Sequence, residues 1–160
     1  MSGKIRLMFV DDEEKFLANT ASRLRMRGIE VAAFNNGPEA LAYAEQNPIE
    51  VALLDLKMPG MDGEEVLKKL KEKRPLVEVI ILTGHGSIRS AADCTKQGAY
   101  EYLLKPCEID EVITAISNAY ARAVKAKSAH KAERVNEILA KAIGYSPIQI
   151  LQELQKLDEE

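Results

Sequence analysis

The chain has 160 residues, enough for one domain with an appendage, and its apolar fraction of 46% allows a packed core. Its 25 acidic and 22 basic residues nearly balance at a net charge of −3, which argues against a nucleic-acid surface spread over the whole molecule. Cys94 and Cys107 are too few for a disulfide framework and lack histidines at metal spacing. No run approaches the roughly eighteen apolar residues of a membrane span, and the N-terminus carries no signal-peptide pattern, so a cytoplasmic, reducing compartment is expected.

In chain order, residues 5–10 form an apolar run of strand type that stops abruptly at Asp11-Asp12-Glu13-Glu14. Phe16, Leu17, Ala21, Leu24 and Met26 then read as one helix face, with Gly28 as its stop. Residues 30–34 make a second strand. Asn36-Gly37-Pro38 opens a second helix, with proline at its first position, carrying Ala40, Leu41 and Ala44 inward until Asn47-Pro48 breaks it. Residues 51–54 are a short apolar strand that ends at Asp55 and the turn signals of Lys57-Met58-Pro59-Gly60-Met61-Asp62-Gly63. The next helix bears Val66, Leu67 and Leu70 and ends at Arg74-Pro75.

Residues 77–82 form a strongly apolar fourth strand closed by Thr83. Gly84-His85-Gly86-Ser87 is a loop, and residues 88–97 form a weakly amphipathic helix stopped by Gly98. Residues 100–104 are a fifth strand ended by Lys105-Pro106. From residue 108 onward, Ile109, Val112, Ile113, Ile116 and Ala119 mark a fifth helix. Five strands alternating with five helices predict an α/β fold with a parallel sheet covered on both faces, in keeping with nearly continuous apolar strands.

Beyond about residue 120 the character changes. Residues 122–134 are rich in Ala and Lys, and the simplest reading is an extended fifth helix with a solvated charged face. Val135, Ile138, Leu139, Ala142 and Ile143 restore an apolar face, Gly144-Tyr145 ends it, and Ser146-Pro147 starts a last helix with Ile148, Leu151, Leu154 and Leu157. The expected division is a domain at 1–122 and a helical extension at 123–160, too short to fold alone.

The strand ends carry the chemistry. Ligands of an open parallel sheet bind at the carboxyl ends of the strands, and there this chain places Asp11, Asp12, Asp55, Thr83 and Lys105. Each alone has a bland explanation: an Asp-Asp pair after a strand is most often a helix cap, and a strand-end Thr or a Lys-Pro is usually structural. Together they are three carboxylates, a hydroxyl and an amine at one edge. Like-charged pairs at about 4 Å cost roughly 4 kcal/mol each at an effective dielectric near 20, which one lysine does not offset. A hard divalent cation such as Mg²⁺ does, and with Lys105 and Thr83 it makes a holder for a phosphoryl group. Asp55 is then the nucleophile that becomes an aspartyl phosphate.

These motifs, Val10-Asp11-Asp12-Glu13, Leu54-Asp55 through Asp62-Gly63, Ile81-Leu82-Thr83-Gly84 and Lys105-Pro106, resemble the receiver domain of bacterial two-component response regulators over roughly residues 4–122. The Gly-His-Gly loop and the run 98–107 are similar to receivers of sigma-54-type activators, although no activator ATPase is expected within these 160 residues. The resemblance implies a doubly wound, flavodoxin-like sheet of order 2-1-3-4-5. It implies that Asp55 takes a phosphoryl group from a histidine kinase or phosphotransfer protein, and that the chain is a switch acting on a downstream protein, not an enzyme. It further implies Mg²⁺ (or Mn²⁺) held by Asp12, Asp55 and the Lys57 backbone carbonyl, with Asp11 acting mainly through water. Lys105 would contact the phosphoryl oxygens beside a cis Lys105-Pro106 bond, and Thr83 and Tyr102 would relay the state to the face of helix 4, strand 5 and helix 5.

Lys57 and His85, two residues after Asp55 and Thr83, are expected to tune the lifetime of the phosphate; the plain alternative is that both are solvated loop residues. His130 reads as a solvated helix histidine, and the cysteines as small buried or half-buried residues. A haloacid-dehalogenase-like phosphatase is the alternative from the enzyme class, but it wants an aspartate where Lys57 stands and a cap that is not evident. The tail offers two more readings. Its apolar residues would suit a homodimer, whereas nucleic-acid contact through residues 122–134 lacks aromatics and a recognition-helix pattern.

Overall fold

The structure, a computed structural model, describes residues 3–158. The first two residues, part of the signal-peptide reading, and the last two of the extension lie outside the described residues. The strands are β1 (Arg6–Val10), β2 (Glu30–Phe34), β3 (Val51–Leu54), β4 (Glu78–Thr83) and β5 (Ala99–Leu104). The helices are α1 (Glu14–Met26), α2 (Gly37–Gln46), α3 (Gly63–Lys73), α4 (Ile88–Lys96), α5 (Ile109–Lys141) and α6 (Pro147–Asp158). All strand pairs are parallel and the sheet order is β2-β1-β3-β4-β5, the expected doubly wound arrangement.

Alternate residues of the central strands face opposite sides of the sheet, so each strand feeds two cores. Met8, Val10, Ala52, Leu54, Val79 and Ile81 meet Ala40 and Ala44 of α2, Val66, Leu67 and Leu70 of α3, and Cys94 of α4. Leu7, Phe9, Val51, Leu53, Ile80 and Leu82 meet Leu17, Ala21 and Leu24 of α1 and Val112, Ile116 and Ala119 of α5. Fully burying one such Leu or Ile stabilises the fold by about 1.5–3 kcal/mol. This double burial makes β1, β3 and β4 read as unbroken apolar runs.

Local chemistry starts the helices. Asn36 accepts the Glu39 N–H at 3.0 Å and Asp62 accepts the Glu65 N–H at 2.9 Å. Ser87 and Ser90 cap α4 reciprocally. Each such cap contributes about 1 kcal/mol. At α1 the N-cap position is Glu13, with no side-chain cap bond; Asp11 Oδ1 accepts the Glu13 N–H instead, at 2.9 Å. The Asp-Asp pair thus supplies one local turn bond without itself being the helix cap.

One position departs from the sequence reading. Met26 is 83% exposed. It lies two residues past Leu24, and two steps of about 100° put it on the far side of the helix. Ile88 and Leu104 are also exposed, the first at the opening residue of α4 and the second at the end of the edge strand β5, which has a neighbour on one side only. Cys94 is buried, Cys107 half-buried and His130 exposed, each as expected.

The chain forms two compact units, one reaching Ala123 and one beginning at Val124. Within the second, Lys131 pairs with Asp158, and Ser146 and Gln149 cap the start of α6 reciprocally, at 3.3 and 2.7 Å. Leu157 is buried, while Leu139, Ile143, Ile148 and Leu151 are exposed. Among the described residues no helix is long and apolar enough to cross a membrane.

Candidate functional site

The sheet ladder sets the acidic residues. β1 and β3 are neighbours with Val10 opposite Leu54, so the residues that follow them, Asp11 and Asp55, emerge side by side at the carboxyl edge. Their backbones are pinned, Asp11 N–H to Phe34 O at 3.1 Å and Asp55 N–H to Val10 O at 3.0 Å. Both side chains are buried and Asp12 is half-buried; carboxylate oxygens of all three lie within 4.8 Å of one another. The loop after Asp55 closes tightly, with Gly63 N–H donating to Leu56 O at 2.8 Å. A Cβ on Gly63 would sit 2.1 Å from the Asp55 carbonyl oxygen, so only glycine allows α3 to start against the Asp55 backbone.

The two buried carboxylates differ in their partners. Asp11 Oδ2 accepts the Lys105 ammonium at 2.7 Å, and Oδ1 accepts the Glu13 N–H. Asp55 Oδ1 is buried without a hydrogen-bond partner. Burial pushes the Asp55 carboxyl above its ordinary 3.8, opposed by the Thr83 hydroxyl, the Lys105 charge and the Leu56 N–H. Burial likewise raises Asp11, against the hydrogen bond from Lys105. For Lys105 burial pulls downward, but the hydrogen bond and charge of Asp11 outweigh it and carry the ammonium above 10.5.

Lys105 is placed by β5 and by its own backbone, whose N–H donates to Thr83 O at 2.9 Å, next to a cis Lys105-Pro106 bond. Its Nζ also lies 3.5 Å from Glu13 Oε1 and 4.1 Å above the centroid of the Phe16 ring. Thr83, at the end of β4, is buried, and its hydroxyl oxygen accepts the His85 N–H at 3.1 Å. The side chains of Lys57 and His85 are exposed.

Tyr102 stands apart from the acidic cluster. Its ring packs on the core shared by α2, α3 and α4, and its hydroxyl shares a 2.6 Å hydrogen bond with Ser90 Oγ. A Cβ on Gly86 would fall 2.2 Å from Leu104 Cδ2 and 2.9 Å from the Tyr102 hydroxyl, so the glycine loop leaves room for these side chains.

The predicted residues therefore fall into three groups: Asp11, Asp12, Asp55 and Lys105 with Thr83 beside them, Tyr102 tied to α4, and Lys57 and His85 exposed in the loops after β3 and β4. Sequence reasoning missed three contacts. The sequence shows Glu13 as part of an acidic run and of the receiver motif, and Phe16 as a core-face residue, and it does not single out Ser90. The Ser87/Ser90 spacing of a cap was visible in the sequence, but nothing in it pointed to Tyr102.

Comparison with known proteins gives one family. The sequence profile of the response regulator receiver domain matches residues 7–117. The DNA-binding transcriptional regulator NtrC of Salmonella typhimurium is 34% identical over 138 residues, which are 86% of this chain and 29% of the relative. The regulatory protein LuxO of Vibrio cholerae is 34% identical over 119 residues, 74% of this chain and 26% of the relative. The chain thus spans less than a third of the length of these curated relatives. A CheY-like response regulator receiver domain protein from Methanospirillum hungatei matches in structure with a TM-score of 0.74, at 31% identity, over 78% of this chain and 98% of that one. A response regulator receiver domain from Clostridium thermocellum gives 0.70, at 38% identity, over 74% and 95%.

Proposed function

The chain belongs to the response regulator receiver domain family of two-component systems, whose members are signalling switches, and on that premise we propose that Asp55 is its phosphoryl acceptor. The observation that carries the proposal is the buried Asp55 Oδ1 without a partner, beside two more carboxylates and within the field of Lys105. A carboxylate oxygen stripped of water and of hydrogen bonds is a poised nucleophile, provided that its charge is balanced when it reacts.

The donor set fits a hard divalent cation, because three carboxylates supply oxygen ligands and one of the oxygens is orphaned. Asp12, Asp55 and the Lys57 carbonyl would hold Mg²⁺ (or Mn²⁺), with Asp11 mainly acting through water; the ion, when bound, neutralises charge on the phosphoryl oxygens. The donor is a phosphohistidine of a kinase or phosphotransfer protein. An Asp55 oxygen attacks phosphorus, a P–O bond forms, the P–N bond breaks, and its electron pair returns to the imidazole. Lys105 exchanges Asp11 for a phosphoryl oxygen, and the Thr83 hydroxyl donates to another. Phosphorylation replaces a singly charged carboxylate by a phosphoryl group that carries close to two negative charges and new acceptor oxygens, which draw Thr83 and release room for Tyr102. The relay ends at the α4-β5-α5 face, read by a protein effector.

On this reading the protein is a switch that catalyses only its own phosphorylation and dephosphorylation, and it works in the cytoplasm. Lys57 and His85, both exposed, would tune the phosphate lifetime by screening the approach of water. Residues 1–122 are the receiver and 123–160 an extension, whose exposed Leu139, Ile143, Ile148 and Leu151 favour a homodimer over nucleic-acid contact. The test of the acceptor is labelling by acetyl phosphate with Mg²⁺. Wild type is expected to take up one phosphoryl group and Asp55→Asn none; equal uptake by the variant overturns the assignment.

A further inference from the structure

Lys105 has a partner that the phosphoryl chemistry above does not use. Its Nζ lies 4.1 Å from the centroid of the Phe16 ring, close enough for a cation–π attraction. The Lys105 side chain is only 12% exposed, so water screens the contact weakly. The ring is fixed from behind, edge-to-face on Phe9 at 6.2 Å and 84°, and Phe9 is itself a core residue of β1. Phe16 lies in the first turn of α1, the helix that begins directly after the acidic pair.

The other two contacts of the ammonium are less durable. Asp11 is one of the three clustered carboxylates, so any cation drawing on it weakens its hold on Lys105. Glu13 is 58% exposed and 3.5 Å away, a solvent-screened pair worth little. The ring carries no charge that a metal ion could take.

We propose that Phe16 is a positioning residue for Lys105: its ring face holds the ammonium at the site while Asp11 changes partner, so that Lys105 meets the incoming phosphoryl oxygen from a fixed place. The inference rests on the role given to Lys105 under the proposed function. Leucine at position 16 keeps most of the apolar bulk and loses the ring face, whereas tyrosine keeps both.

The test combines a spectroscopic and a kinetic reading on the full chain. In metal-free protein, NMR of the Lys105 ε-methylene protons is expected to show an upfield ring-current shift in wild type and Phe16→Tyr, absent in Phe16→Leu. With acetyl phosphate and saturating Mg²⁺, Phe16→Leu is expected to lower the maximal rate of Asp55 labelling about fivefold, the size of a partly desolvated cation–π contact. Phe16→Tyr restores the rate, and Phe16→Leu adds no further loss in a Lys105→Met background. A wild-type rate in Phe16→Leu, no rescue by tyrosine, or an undiminished fivefold loss without Lys105 overturns the ring's role, the last by showing a general defect of folding. Wild-type labelling of Lys105→Met overturns the role of Lys105 together with this one, whereas slow Lys105→Met beside fast Phe16→Leu strikes the ring alone.

Discussion

Asp55 and Asp11 are buried at the ends of neighbouring strands, and both are held above the ordinary carboxylate range by that burial. A group whose folded value is raised favours the folded state when protonated, and that contribution is lost as pH rises towards the folded value. The metal-free protein is therefore expected to gain stability from Asp55→Asn. The difference from wild type should be near zero below 3.8, grow as pH rises, and level off above the folded value of Asp55. Urea unfolding of both proteins at several pH values checks this, with a plateau of about 1–3 kcal/mol, the usual penalty for a buried unsatisfied polar group. Millimolar Mg²⁺ should narrow the gap by stabilising wild type alone. In the loop after β3, Lys57→Asn is expected to change the rate of phosphate loss, read as decay of labelled protein; equal decay removes Lys57 from the tuning.

At the scale of elements, two joints carry the site. The first is the approach of α3 to the strand end, where Gly63 leaves no space beside the Asp55 carbonyl. Gly63→Ala must move the backbone that aims Asp55, so it should destabilise the fold by more than about 1 kcal/mol and slow labelling together. Normal labelling with a normal melting curve would contradict the tight closure. The second joint is Ser90, which completes the α4 cap and bonds the Tyr102 hydroxyl. Ser90→Ala should cost about 1 kcal/mol through the cap and loosen the start of α4, visible as faster amide exchange over residues 87–91. Exchange as in wild type would place the tyrosine's hold elsewhere.

The same elements show what the sequence made legible. Strand ends could be read because apolar runs stop at charged or hydroxyl residues, which brought Asp11, Asp12, Asp55, Thr83 and Lys105 into view from spacing alone. Contacts between distant elements leave no such mark. Phe16 looks like any apolar residue of an amphipathic helix, and its place over Lys105 depends on how α1 and β5 lie on the sheet. Met26 shows the opposite error, an apolar residue counted inward that the helix turns outward.

For the whole molecule, the sheet gathers chemistry from four strands while two separate cores hold it rigid. Replacing Leu70, buried in the core of α2, α3 and α4, by alanine should lower stability by about 2–5 kcal/mol and leave the donor set intact. The extension from Val124 stands as a second compact unit with exposed apolar residues, which sedimentation with and without residues 123–160 would test as a dimer element. Phosphorylation of Asp55 is the claim on which all else depends. Its most direct test is phosphotransfer from a labelled histidine kinase, followed by borohydride trapping of acyl phosphate and peptide mapping. The account predicts a single trapped site at Asp55, lost in Asp55→Asn. Trapping at any other residue of the wild-type chain, or undiminished transfer to the variant, would contradict it.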